Sequence, residues 1–239
     1  MSLISVAGLR RTFGDAVALD SLDLEIEGGE CVALLGHNGS GKTTALTAIA
    51  GLVPPTSGRI RVAGADPFEE PGATAARRAL AYVPDAPVFY DDMTVAEHIE
   101  LTGVGHGLAT TLGTDAFDKR CKKLIVQFGL DEHRDHVPEQ LSAGLQQRTQ
   151  LACAFVRPFK ALLLDEPVLR LDPAAQQLLS RRLDGARRRG AAVLLSTHSP
   201  SFARNLADRI VVLEHGSVVA DGTFEQIQST DAAVHLGLN

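Results

Sequence analysis

Residues 36–44 read GHNGSGKTT, and within them Gly36, Gly41, Lys42 and Thr43 fill the spacing G-x-x-x-x-G-K-[ST]. Glycine lets a backbone wrap closely enough for its N–H groups to converge on an anion. A helix starting at the end of such a loop aims its positive dipole end at the same point. A lysine at this spacing reaches β- and γ-phosphates, and the hydroxyl after it suits Mg²⁺. The stretch therefore places Gly36, His37, Asn38, Gly39, Ser40, Gly41, Lys42, Thr43 and Thr44 around a nucleotide's phosphates, with Lys42 also acting on the transferred group. The flanks agree. The apolar run CVALL before the loop reads as a buried strand, residues 43–50 suit a helix, and Gly51 sits where a helix-stopping glycine belongs.

At 239 residues the chain can form one large α/β domain or two small ones. Its 45% hydrophobic and 22% charged residues are ordinary globular values. A net charge of −6 argues against a partner held by broad electrostatic attraction, so no nucleic-acid partner is expected. Cys31, Cys121 and Cys153 are odd in number and widely spaced. They form neither a disulfide framework nor a zinc pattern, which fits a reducing cytosol. No apolar run approaches the roughly 18 residues that cross a bilayer. The opening MSLISVAGLRR lacks the apolar core of a signal peptide. Any membrane-spanning segment must then come from another chain.

Outward from the loop, residues 3–26 alternate apolar and polar around Gly14-Asp15 and read as antiparallel strands. Residues 54–58 form a turn before a short strand over 59–62. A brief helix over 73–79 and a strand over 80–83 follow, and Pro84 ends the strand. Residues 94–157 are helix-rich, with helices expected over 95–102, 115–128 and 145–156. Residues 103–113 carry four glycines and read as a loop or a weak helix end. Strands over 161–164, 191–196, 210–213 and 217–220 then alternate with helices over 173–189, 201–207 and 224–227. Alternation of this kind predicts a mainly parallel sheet.

The strand over 161–164 runs into Asp165-Glu166-Pro167. Beside a phosphate loop, Asp165 is placed to hold Mg²⁺ directly or through water. Glu166 is placed to polarise an attacking water. His198 follows the strand over 191–196, at the sheet end where ligands sit, and reads as a γ-phosphate contact. In LSAGLQQR (141–148), Ser142 reads as a helix cap above a second anion-binding helix start. His133 and His136 lack further metal ligands in sequence. Arg187, Arg188 and Arg189 read as cations offsetting a helix dipole.

Taken in order, GHNGSGKTT, YVPD, LSAGLQQR, LLLDEP, Asp172-Pro173 and STHS resemble the nucleotide-binding domains of ABC (ATP-binding cassette) ATPases, over nearly the whole chain. The resemblance implies a P-loop NTPase core with a mainly parallel sheet, an N-terminal antiparallel β subdomain and an inserted α-helical subdomain over about 88–158, in a single domain spanning 1–239. It implies Mg²⁺-dependent hydrolysis of ATP by Lys42, Glu166 and His198. It implies a head-to-tail pair, homodimer or heterodimer, in which Ser142 and Gly144 reach the γ-phosphate on the second cassette. By the same resemblance Phe13 stacks on adenine, and Asp85 contributes to the metal with Thr43 and Asp165. The partners implied are integral membrane permease subunits, at the inner face of the cell membrane. The cluster Pro87, Val88, Phe89, Tyr90 and Met93 reads either as local core or as a groove for such a subunit. The run YVPDAPVFYDDMTVAEHI is most similar to cassette subunits of exporters. Alternatives are a soluble ABC ATPase that remodels a protein partner, and a nucleotide-binding regulator with negligible hydrolysis.

The sequence departs from the family pattern at several positions. Leu145 stands where glutamine is usual, Asp85 stands where glutamine or glutamate is usual, and Arg170 replaces a small residue.

Overall fold

The computed structural model describes residues 1–230; residues 231–239 of the expected domain lie outside them. Two strands, β1 (Ser2–Phe13) and β2 (Ala16–Glu27), pair antiparallel around Gly14-Asp15. Their alternation buries Ile4, Val6, Leu9, Leu22, Leu24 and Ile26 on one face, as a half-solvated antiparallel sheet requires. The strand β3 (Cys31–Leu35) is buried throughout and leads through the glycine loop into α1 (Lys42–Ile49). Gly51 follows with φ +75 and ends that helix.

Next come β4 (Ser57–Val62), α2 (Gly72–Ala79) and β5 (Leu80–Val83). The helical stretch consists of α3 (Val95–Gly105), α4 (Leu108–Leu112), α5 (Thr114–Gln127) and α6 (Ala143–Val156). The α/β alternation resumes with β6 (Ala161–Asp165), α7 (Pro173–Arg188), β7 (Ala192–Thr197) and α8 (Pro200–Leu206). It closes with β8 (Arg209–Glu214), β9 (Ser217–Gly222) and α9 (Phe224–Gln228). Residues 103–113, read as a loop or a weak helix end, hold the end of α3, which runs on to Gly105, and the short α4, which follows after a two-residue break. The glycine that suggested a breaker is a packing site. A Cβ on Gly103 would lie 2.3 Å from the Phe117 ring, so α3 needs glycine to approach α5.

The chain divides into two units. Among the described residues the first comprises 1–82, 159–166 and 182–230. It holds a three-stranded sheet in the order β2-β1-β4 and most of a six-stranded sheet in the order β5-β6-β7-β3-β8-β9. In the larger sheet β3 runs parallel to both β7 and β8, and β6 runs parallel to β7. The β8–β9 hairpin at the edge is antiparallel. Leu46 and Ile49 of α1 join one apolar core with Ile4, Leu24, Val32 and Leu163, so the helix that follows the loop is rooted in that core. At the C-terminal end of α7, Arg187 donates to Leu206 O and pairs with Asp208. This guanidinium braces the fold rather than forming a free basic patch.

The second unit comprises residues 83–158 and 167–181. Its core is the packing of α3, α5 and α6, with Ile99, Phe117, Leu124, Phe128, Leu151 and Phe155 all buried. The Phe128 and Phe155 rings meet with centroids 6.0 Å apart. Thr94 starts α3 with a reciprocal cap: its hydroxyl accepts from Glu97 N, and the Glu97 carboxylate accepts from Thr94 N at 2.7 Å.

Candidate functional site

The glycine loop is shaped by what presses on it. A Cβ on Gly36 would lie 2.3 Å from Leu213 O, and one on Gly41 would lie 2.6 Å from Ala18 O. Gly41 also adopts φ +107, a conformation that side chains resist. These two glycines let the loop lie against β8 and β2. Gly216 N, in the β8–β9 turn, donates to Ser40 O at 3.0 Å, and Asp20 N donates to Gly216 O at 2.8 Å.

Lys42 begins α1 and is buried, 7% exposed. Its Nζ donates to Gly36 O at 2.7 Å and to His37 O at 3.1 Å. An ammonium carries three protons, so two fasten the loop and one is left for an anion. Burial pushes this ammonium below its ordinary value, and the Glu166 and Asp165 carboxylates pull it back up. His37, Asn38 and Gly39 are exposed at the loop's crest, with Thr43 exposed and Thr44 half-buried at the first turn of α1.

The two acids sit where β6 ends, beside the end of β7, in register Asp165 to Ser196. Ser196 ties them together. Its hydroxyl donates to Asp165 Oδ1 and accepts from Glu166 N at 2.9 Å. Asp165 is 1% exposed, and its Oδ2 has no hydrogen-bond partner among the described residues. A buried carboxylate oxygen without a donor suits a hard cation or its bound water. The Thr43 hydroxyl is a second oxygen of the same chemical type. These residues therefore fit Mg²⁺. No group of three or more His, Cys, Asp or Glu that could hold a metal occurs among the described residues, so nucleotide oxygens would complete such a coordination shell.

Glu166 has φ +45. A non-glycine residue held in the left-handed region costs of order 1–3 kcal/mol and persists where the surroundings fix it. Here Ser196 holds its N–H, and His198 holds its carboxylate. Glu166 Oε2 lies 2.9 Å from His198 Nδ1 and accepts from His198 N at 3.3 Å. With the carboxylate as acceptor, Nδ1 carries the proton, and Nε2 donates to an anion only in the imidazolium form. Lys42, Asp165, Glu166 and His198 thus lie together. Ser196 was not singled out in the sequence, because a serine ending an apolar strand has no motif; only the register reveals it.

Phe13 lies at the end of β1, 51% exposed. The Arg11 guanidinium carbon sits 4.5 Å from the ring centroid, a cation–π contact that covers one face.

The remaining expected residues belong to the second unit. Ser142 caps α6, accepting from Leu145 N at 3.3 Å, and is exposed. Gly144 is close to the 168–172 segment: a Cβ there would lie 3.0 Å from Arg170 O. Asp85, expected near a metal, is engaged by Arg170, whose Nη1 donates to its Oδ1 at 3.0 Å and also to its backbone oxygen. Arg148 pairs with Asp172. The Ala175 N–H, and then this guanidinium, hold the Asp172 carboxyl below its usual value.

Comparison with known proteins follows these motifs. Residues 19–169 match the family described as "ABC transporter". The chain is 34% identical over 238 residues to the ABC-type transporter ATP-binding protein EcsA of Bacillus subtilis, covering 98% of this chain and 94% of that one. It is 36% identical over 220 residues to the Nod factor export ATP-binding protein I of Sinorhizobium fredii, covering 92% of this chain and 62% of that one. It is also 36% identical to the sulfate/thiosulfate import ATP-binding protein CysA 2 of Chromobacterium violaceum, covering 96% and 61%. A solved structure of an ATP-binding subunit of an ABC transporter superposes with TM-score 0.89 at 31% identity, covering 99% of this chain and 100% of that one.

Proposed function

Because the chain belongs to the ABC transporter ATP-binding family, we propose that it hydrolyses ATP with Mg²⁺ and delivers the energy to separate membrane-spanning subunits. ATP binding and the transport role are properties of the family; hydrolysis by named residues is the finer reading. One observation carries it: Lys42, Asp165, Glu166, Ser196 and His198 form one hydrogen-bonded and electrostatically coupled group at the strand ends beside the glycine loop.

In this reading the loop's N–H groups and the third Lys42 proton hold the phosphates. Phe13 offers its uncovered face to the base. Glu166 takes a proton from the attacking water, and His198 fixes that carboxylate so that it does not rotate away. Mg²⁺, held by Thr43 and Asp165 with the phosphate oxygens, would supply charge neutralisation. Little covalent chemistry is asked of the chain, because phosphoryl transfer is accelerated by positioning and charge stabilisation. Ser142 and Gly144 would serve a second cassette's nucleotide, in a homodimer or heterodimer. No helix among the described residues is long and apolar enough to cross a membrane, so permease subunits are the proposed membrane partners. The chain would then work as a peripheral subunit on the cytoplasmic face. Export and import both occur in the relatives' names, which supports a direction set by the membrane subunit.

The test is Glu166→Gln. The amide keeps the shape but cannot accept the proton, so phosphate release should fall by about 10²–10⁴-fold while ATP affinity stays within a few-fold. Wild-type turnover in the variant would remove Glu166 from the base role.

A further inference from the structure

The segment 168–172 is fastened at three points within the second unit. Arg170 Nη1 reaches both oxygens that Asp85 offers in this direction, its backbone carbonyl and Oδ1. Arg148 of α6 pairs with Asp172, and Asp172 Oδ1 accepts from Ala175 N at 2.8 Å, which anchors the segment to the start of α7. The backbone of Arg170 also lies against Gly144, leaving a Cβ there only 3.0 Å from its carbonyl oxygen. One residue therefore grips the chain after β5 with its side chain and touches the start of α6 with its main chain. The two are independent contacts, one electrostatic and one steric, and both converge on Arg170.

We propose that Arg170 is a positioning residue that fixes the Ser142–Gly144 turn relative to the segment carrying Asp85, and that Asp85 is its counter-ion rather than a metal ligand. Two of the residues that depart from the family pattern in this unit are then one paired change. A lone arginine at 170 would leave a guanidinium, 28% exposed, without a carboxylate; a lone aspartate at 85 would have nothing to receive. The pair is partly exposed, so its strength is modest and salt-sensitive. Its importance lies in holding the Ser142 turn in one place, because small misplacements of a phosphate-contacting group cost rate disproportionately. The kinetic consequence rests on the ATPase reading given above; the mechanical one does not.

The experiment compares Asp85→Asn, Arg170→Ala and the double variant in the full chain. Amide hydrogen exchange without nucleotide is the first readout. Arg170→Ala should speed exchange at least threefold in 83–87 as well as in 168–172, and Asp85→Asn should do the same; unchanged exchange in either segment overturns the pairing. Steady-state hydrolysis is the second readout. Each single variant should lose about three- to tenfold in kcat with KM for ATP within twofold, and the double variant should lose no more than the worse single. Additive losses overturn the proposal. So does a shift in Mg²⁺ half-saturation with Asp85→Asn that Arg170→Ala does not share, because that pattern assigns Asp85 to the metal. If the chain shows no turnover at all, the ATPase reading fails and hydrogen exchange alone decides the pairing.

Discussion

At the scale of single residues, Ser196 shows how one hydroxyl organises two neighbouring acids. It donates to Asp165 Oδ1 and accepts from Glu166 N, and it is fully buried. Removing it leaves a buried carboxylate oxygen and a half-buried N–H unmet at once. Ser196→Ala should therefore cost about 1–3 kcal/mol in unfolding free energy, read from urea midpoints. It should also lower turnover more than ATP affinity, since Glu166 loses the bond that holds its backbone in the left-handed region. Equal stability and turnover would show that His198 suffices. The contrast with Lys42 and Glu166 explains what a sequence displays. Those residues carry their chemistry in a local spacing, because a loop and a strand end deliver them together. Ser196 acts across thirty-one positions on Asp165 and Arg170 across eighty-five on Asp85. Such pairs are set by strand register and segment packing, which leave no periodic trace.

At the scale of elements, α3 separates two uses of glycine that look alike in sequence. Gly103 faces the Phe117 ring with no room for a methyl group, whereas Gly105 has open space around its missing Cβ. Gly103→Ala should destabilise the chain by about 1–3 kcal/mol, because overpacking forces α3 from α5. Gly105→Ala should stabilise it by about 0.5–1 kcal/mol, because a helical position gains when backbone freedom is lost from the unfolded chain. Thermal or urea unfolding of the two variants checks the sign of each, and the same sign for both would contradict this packing. This is also why the glycines of 103–113 read as a loop or a weak helix end: composition counts glycines but cannot tell a breaker from a contact. The strands were legible for the opposite reason. β1 and β2 alternate because one face is buried, and β3, β6 and β7 are continuous apolar runs because both faces are.

At the scale of the molecule, burial decides the behaviour of the thiols. Cys31 and Cys121 are 0% and 1% exposed, and burial pushes them up to about 12 and about 11 from an ordinary 9.0. Thiolate is the reactive form, so both should resist alkylation at pH 8 in the folded chain and react in denaturant. Rapid labelling of either without denaturant would contradict the burial. The unfolded chain surrenders these protons near pH 9.0 and the folded chain keeps them to about 11–12. Their contribution to stability is thus complete below pH 9.0 and is lost as the pH climbs towards 12. The strand order has a consequence of another kind, in time rather than energy. The phosphate loop is written early in the chain, but β3 receives its two neighbours only from residues 192–197 and 209–214, and the loop's brace at Ser40 comes from Gly216. A ribosome delivers the chain from its N-terminus. The nascent chain therefore carries its nucleotide motif unfinished until residue 216 has been made, after the helical unit has emerged.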